Sequence, residues 1–139
     1  MSFLGSLDIS GSALTAERFR SDIALQNIAN ADTTETAEGG PYRRKQVTFA
    51  EQKLSFSDEL DRVSGGVKVS NVVESDRDFQ PVYDPTNPNA NEEGYVMYPN
   101  VDTTEEMVDL MVASNAYNLN LTALNVTKAM IDKTLKLGE

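Results

Sequence analysis

Between residues 104 and 137 the apolar positions fall at alternating steps of three and four: Met107, Leu110, Tyr117, Leu121, Leu124, Ile131 and Leu135, with Ser114 and Lys128 interrupting the run. That spacing places them on one face and predicts a helix over 104–137. At 1.5 Å per residue it would run roughly 50 Å, whereas a compact domain of 139 residues has a radius of gyration of about 14 Å. The helix outruns the globule, so its stripe needs cover from another surface.

The ends of this segment carry helix signals. Thr103-Thr104-Glu105-Glu106 has the form of a capping box, in which the Thr103 hydroxyl reaches the Glu106 amide and the Glu106 side chain reaches back. Glu105, Glu106 and Asp109 stand in the first turns and Lys128, Lys133 and Lys136 towards the last, which complements the helix dipole. Gly138 is a fitting C-terminal stop.

A second helix is predicted near the start, over about 3–31. Leu7, Leu14, Ala24, Ile28 and Ala31 share one face, with Ala13, Ala16 and Ile23 beside it. Ala13, Ala16, Ala24 and Ala29, preceded by Ser10, Gly11 and Ser12, let a neighbouring helix approach at the close end of the usual interaxial range. Asp8, Ser10 and Ser12 are each able to cap its start.

Between the two, the helical period disappears. The run 32–41 (Asp-Thr-Thr-Glu-Thr-Ala-Glu-Gly-Gly-Pro) strings turn formers together and reads as a loop. Short strand candidates follow at 46–49, 67–73, 81–83 and 95–98, several of them interrupted or bounded by Pro81, Pro85, Pro88 and Pro99, which confines them to edges or ends. The expected fold class is α+β: long N- and C-terminal helices packed as an antiparallel pair, with a small irregular β-rich unit inserted between them. Three segments result: 1–35 with the first helix and its exit loop, 36–101 with the β-rich unit, and 102–139 with the second helix. Two helices cover only part of each other, and burying a Leu, Ile or Met is worth roughly 1.5–3 kcal/mol. Leftover apolar faces therefore imply assembly.

Composition narrows the chemistry. The net charge of −10 disfavours non-specific attraction to nucleic acid or an anionic membrane. Neither cysteine nor histidine is present, which removes thiolate and imidazole nucleophiles, bases and metal ligands. No apolar run approaches the roughly 20 residues of a membrane span, and residues 1–8 lack the basic start and apolar core of a cleavable secretory signal. The acidic pairs Asp58-Glu59, Asp76/Asp78 and Glu92-Glu93 read as solvated surface rather than as a glycosidase dyad. In the stretch 84–94, Pro88 and the following Tyr95 occupy positions where a calcium loop needs oxygen ligands.

Two polar features have sharper alternatives. Arg43-Arg44-Lys45 reads as the solvated start of a strand, with pairing to an acidic neighbour as the other reading. Asn27, Asn30, Asn115, Asn118, Asn120 and Asn125 fit solvated helix faces, with Asn30 as a cap. Of these, Asn27 is the choice for a seam residue that fixes register. The sites Asn120-Leu-Thr122 and Asn125-Val-Thr127 match the glycosylation pattern but lie inside a predicted helix.

The run Gln26-Asn27-Ile28-Ala29-Asn30-Ala31 resembles the Asn-Ile-Ala-Asn motif of bacterial flagellar rod, hook and related axial proteins. Pro41-Tyr42-Arg43-Arg44-Lys45-Gln46-Val47-Thr48-Phe49, Gly65-Gly66-Val67-Lys68-Val69, Val82-Tyr83-Asp84-Pro85 and Gly94-Tyr95-Val96 are similar to the FlgC-type proximal rod proteins. So are Glu106-Met107-Val108-Asp109-Leu110-Met111, Ala113-Ser114 and Tyr117, and the resemblance covers almost the whole chain in order. It implies a structural subunit of the basal-body rod, a tubular shaft that crosses the periplasm and transmits torque, with terminal helices in the inner tube and the β-rich middle outside. It also implies partners: copies of itself, proximal and distal rod subunits, an inner-membrane ring adaptor, and the flagellar type III apparatus through which such proteins are exported unfolded. No catalysis, cofactor or metal is implied. Two departures stand out, since the family often has Arg where this chain has Asn115, and a second Asn where it has Gln26.

The expected assembly residues are Ala13, Ala16, Ile23, Ala24, Asn27, Ile28, Asn30, Met107, Leu110, Ser114, Tyr117, Leu121, Leu124, Ile131 and Leu135, with Arg43, Arg44 and Lys45 as polar contacts. The rival class is a helical binding module, such as an export chaperone or adaptor that holds client helices in a groove. An enzyme acting on the cell wall, motivated by Glu92-Glu93 alone, stands further off.

Overall fold

The computed structural model describes residues 3–52 and 65–137. Among these residues two helices, α1 (Phe3–Ala29) and α2 (Thr103–Lys136), flank four strands: β1 (Lys45–Glu51), β2 (Val67–Glu74), β3 (Gln80–Tyr83) and β4 (Tyr95–Tyr98). Each expected element is present and the class is α+β. Gly138 and the Asp58-Glu59 pair lie outside the described residues.

The helices pack antiparallel. Asn27 in the last turn of α1 bonds Glu106 in the first turn of α2, while the earlier Arg18 and Ser21 share a groove with the later Leu110, Ser114 and Tyr117. Along α2, Glu106, Leu110, Ala113, Tyr117, Asn120, Leu124, Thr127 and Ile131 are each at least partly buried. These follow one another at steps of four and three, the repeat of a helix seam.

This seam corrects the predicted one. Met107, Ser114, Leu121 and Leu135 are exposed, and Glu106, Ala113, Asn120 and Thr127 take the covered positions instead. The physical reason is that large apolar residues dominate a hydropathy stripe, whereas close helix contact selects small residues and partnered polar ones. Leu135 keeps the seam's phase but lies beyond the last covered position, Ile131.

The cap at the start of α2 is a second correction. Asp102 is the N-cap (φ −100°, ψ 110°), and its carboxylate accepts from the amides of Thr104 at 2.8 Å and Glu105 at 3.4 Å. The expected Thr103 and Glu106 capping box does not form, because the Glu106 carboxylate is held by Arg44 and Asn27.

The strands form two separate antiparallel ribbons, β1 with β2 and β3 with β4. The first is bulged between Thr48 and Phe49 and lies along α1. Its base comes so close to α1 that a Cβ on Gly66 would meet Ser12 Oγ at 2.5 Å, and Ser12 Oγ accepts from the Val67 amide at 3.0 Å. Among the described residues, the buried apolar ones are few and mostly small: Ala16, Ala24, Tyr42, Val96, Val101 and Ala113. The largest fully buried side chains among the described residues are Glu106, Val96 and Asn27, so polar groups occupy the centre of the described fold.

Candidate functional site

Four pieces of chain converge where the helical pair meets the ribbons: the end of α1, the entry to β1, the exit from β2 and the start of α2. Asn27, 1 % exposed, uses its full hydrogen-bonding capacity there. Its amide nitrogen donates to Lys45 O at 2.8 Å and Glu106 Oε2 at 2.9 Å, and its carbonyl oxygen accepts from Tyr42 Oη at 2.9 Å and Lys45 N at 3.0 Å. An amide offers two donors and two lone pairs, so nothing is left for a ligand.

Arg44 is the cation of this joint and is 2 % exposed. Its guanidinium donates to Glu106 through Nε, to Asp109 Oδ2 at 3.1 Å, and lies 3.3 Å from Glu105 Oε1. Positions 105, 106 and 109 fall within two turns of α2, so one helix end supplies all three carboxylates. The solvated reading of the basic cluster is therefore wrong for Arg44. Its fork carries into the interior a charge that Glu106 balances, and a buried charge persists only when paired. Arg43 is half-buried, stacking on Phe79 with its guanidinium carbon 4.5 Å from the ring centre and donating to Ser75 O at 3.1 Å. Lys45 lies half-buried with its ammonium 5.6 Å from the centre of the Tyr42 ring.

Sequence reasoning missed Asn100, Arg77 and Tyr42. Asn100 accepts from the Arg44 amide at 2.8 Å and donates to Ser75 O and Arg77 O, tying β1, the exit of β2 and the approach to α2 together. Arg77 grips Glu105 with both terminal nitrogens, at 2.7 and 3.2 Å. The available signal was charge placement: three acids open α2 while the basic cluster opens β1.

Titration follows these contacts. The Arg77 hydrogen bonds hold the Glu105 carboxyl below its ordinary range, and the same pair raises Arg77. The Thr104 amide, followed by that of Glu105, lowers Asp102. Burial, then the charge of Glu106, raises the Tyr42 phenol.

The other expected assembly residues divide by exposure. Ala16 and Ala24 are buried, Ala13, Ile23, Ile28 and Asn30 are half-buried, and Asn30 turns its amide back onto Gln26 O at 2.8 Å. Ala16, Ala24 and Asn27 are thus already covered within one chain. Leu110, Tyr117, Leu124 and Ile131 lie in the intrachain seam, and a groove of about 480 Å³ between Arg18, Ser21, Leu110, Ser114 and Tyr117 stays open beside it.

A second apolar line runs the length of α2, unnoticed in the sequence: Val108, Val112, Leu119, Val126, Met130 and Leu137, at steps of four and seven. It lies about a third of a turn from the intrachain seam. All six are exposed, Leu119 by 72 %. With Met107, Met111, Leu121 and Leu135, nine large apolar side chains of α2 and Leu137 at its C-cap are exposed.

A family model described as the C-terminal part of the flagellar basal-body rod FlgEFG proteins matches residues 92–137, from the loop before β4 to the end of α2. Proteins named flagellar basal-body rod protein FlgC are similar over the full length. The one from Bacillus subtilis (strain 168) is 48 % identical over 150 aligned positions, covering all of both chains. That of Escherichia coli O157:H7 is 45 % identical over 139, again covering both entirely. A more distant one, from Borreliella burgdorferi, is 36 % identical over 99 % of this chain and 98 % of its own. With terminal helices, inserted ribbons and an end-to-end likeness of this degree, the chain belongs to the FlgC family of flagellar basal-body rod proteins.

Proposed function

We propose that this structural rod subunit is held in the flagellar basal body by its helical pair, with the outward line of α2 laid against neighbouring rod subunits. The observation that carries this reading is the exposed series Val108, Val112, Leu119, Val126, Met130 and Leu137. Covering the remaining half of six such side chains is worth on the order of 5–9 kcal/mol. Association costs about 4–15 kcal/mol, so one such contact is marginal and several together are stable. The chain accordingly stays dispersed, helped by its charge of −10, until a growing rod offers several surfaces at once.

The exposed Met107, Ser114 and Leu121, on the other flank of the seam, and Leu135, at its far end, offer further assembly surface, while the buried joint transmits load from the ribbons to the helices. The finer partners follow from the same reading: copies of this chain, proximal and distal rod subunits, an inner-membrane ring adaptor, and the type III apparatus that delivers it to the rod in the periplasm. Among the described residues no helix is long and apolar enough to cross a membrane. The role is structural and not catalytic, which is supported by the way the buried Asn27 and Glu106 spend their hydrogen bonds on neighbouring groups of the joint.

Replacing Leu119 with Asp tests the reading in a cell that lacks its own copy. The purified variant should keep its helical circular dichroism, since Leu119 makes little of the protomer's core. It should support no swimming and be absent from isolated basal bodies. Wild-type swimming with Leu119→Asp would overturn the proposal.

A further inference from the structure

The β3–β4 ribbon leaves one face uncovered. Pro81, Tyr83, Tyr95 and Met97 share that face, because Pro81 pairs with Met97 and Tyr83 with Tyr95, and all four are exposed. The opposite face carries the fully buried Val96. Tyr83, 65 % exposed, meets Tyr95 edge to face at 5.3 Å between ring centres. An outward aromatic and thioether surface on a small ribbon is the composition of a contact patch rather than of solvated surface.

The loop beside it holds its shape. Asp84 Oδ1 accepts from the Thr86 amide and hydroxyl, Asn91 Oδ1 accepts from the Glu93 and Tyr95 amides, and backbone bonds join Asp84 to Gly94 and Asn91 to Tyr95. Gly94, at φ +82°, has no room for a Cβ, which would lie 2.9 Å from the Tyr83 ring. The loop therefore presents Asp84, Glu92 and Glu93 at fixed positions beside the aromatic face. A surface set in advance binds without an ordering cost.

The far end of α2 is its complement. Val126, Met130 and Leu137 are exposed along one line there, with Lys133 and Lys136 exposed on its flank. Among the described residues neither lysine is ion-paired, since the ion pairs are those of Arg20, Arg44 and Arg77. One end of the molecule thus joins apolar surface to negative charge and the other joins apolar surface to positive charge. The two cannot meet within one chain: α2 starts four residues after β4, and Met130 lies about 40 Å along it.

We propose that the aromatic face of the β3–β4 ribbon receives the last three turns of α2 from a second copy of this chain, with Lys133 and Lys136 set against Asp84, Glu92 and Glu93. The contact is head to tail, so each copy offers both halves and the series stays open. Matched charge orients the approach and rejects the reversed one. This inference rests on the rod-subunit reading and adds to it a specific neighbour and polarity.

The test uses full-length protein in cells lacking their own copy, scored on isolated basal bodies. Reversing the tail (K133E and K136E together) should lower the amount of this subunit at least tenfold. Reversing the ribbon side (D84K, E92K and E93K) should do the same, and combining all five should restore it. Since the chain has no cysteine, Glu93→Cys with Lys133→Cys in one chain should give a ladder of linked copies under a short bis-maleimide, while each single variant gives none. Failure of the five-fold variant to recover, together with a missing ladder in basal bodies that contain the cysteine pair, overturns the inference. Rods that still require Leu119 would then leave the broader reading standing.

Discussion

The fate of single polar side chains decides how this protomer holds together. Asn27 makes four hydrogen bonds to three residues, Tyr42, Lys45 and Glu106, and Glu106 answers both it and Arg44. Asn27→Ala would leave the Lys45 amide and the Tyr42 hydroxyl without acceptors, and each unpaired buried group costs about 1–3 kcal/mol. Urea unfolding of the purified chain should register that loss. Glu106→Gln should cost about 3–5 kcal/mol, because it leaves the buried Arg44 without its nearest counter-charge. Arg44→Lys should not be tolerated, as an ammonium cannot span three carboxylates. Asn27, buried and 1 % exposed, was readable as the asparagine of a helix seam. Arg44 was not, since its partners lie 61 or more positions away and no local pattern reports them.

Asp102 and Glu105 extend the argument to pH. Both carboxyls titrate below their ordinary range in the folded chain, Asp102 through helix amides and Glu105 through Arg77. A lowered folded-state value means that their contribution is present above the unfolded value near 4 and is lost as pH falls through the folded one. Acid should therefore loosen the start of α2, seen as falling helical signal between about pH 4 and 2. Asp102→Asn keeps a capping oxygen without the charge and should flatten part of that slope; an unchanged slope would count against the assignment.

Among the elements, the helices were legible and their phase was not. The three-and-four spacing located α2 within a residue at each end, yet it followed the large side chains and so straddled two faces. The real seam contains Glu106, Ala113, Asn120 and Thr127, which a hydropathy pattern discounts. Ala113, with no exposed surface, lies in that seam. Ala113→Leu should over-pack it and cost about 1–3 kcal/mol, while Leu119→Ala on the outer line should change stability by less than about 0.5 kcal/mol. Paired thermal melts distinguish the two faces, and equal effects would contradict the assigned phase. The strands were readable from proline and glycine punctuation, and only their pairing required the structure.

For the molecule as a whole, a thin core of small residues, a polar centre and a long uncovered apolar line belong together. Such a chain is stable enough to hold its shape and finishes burying its surface in an assembly. Family resemblance carried the identity, and the physical pattern explains why that identity suits these residues. The most direct measurement is a cryo-electron-microscopy map of isolated basal bodies at side-chain detail. The account predicts Val112, Leu119 and Val126 each within about 4.5 Å of apolar atoms from a neighbouring subunit, and a map that leaves those three side chains facing water would contradict it.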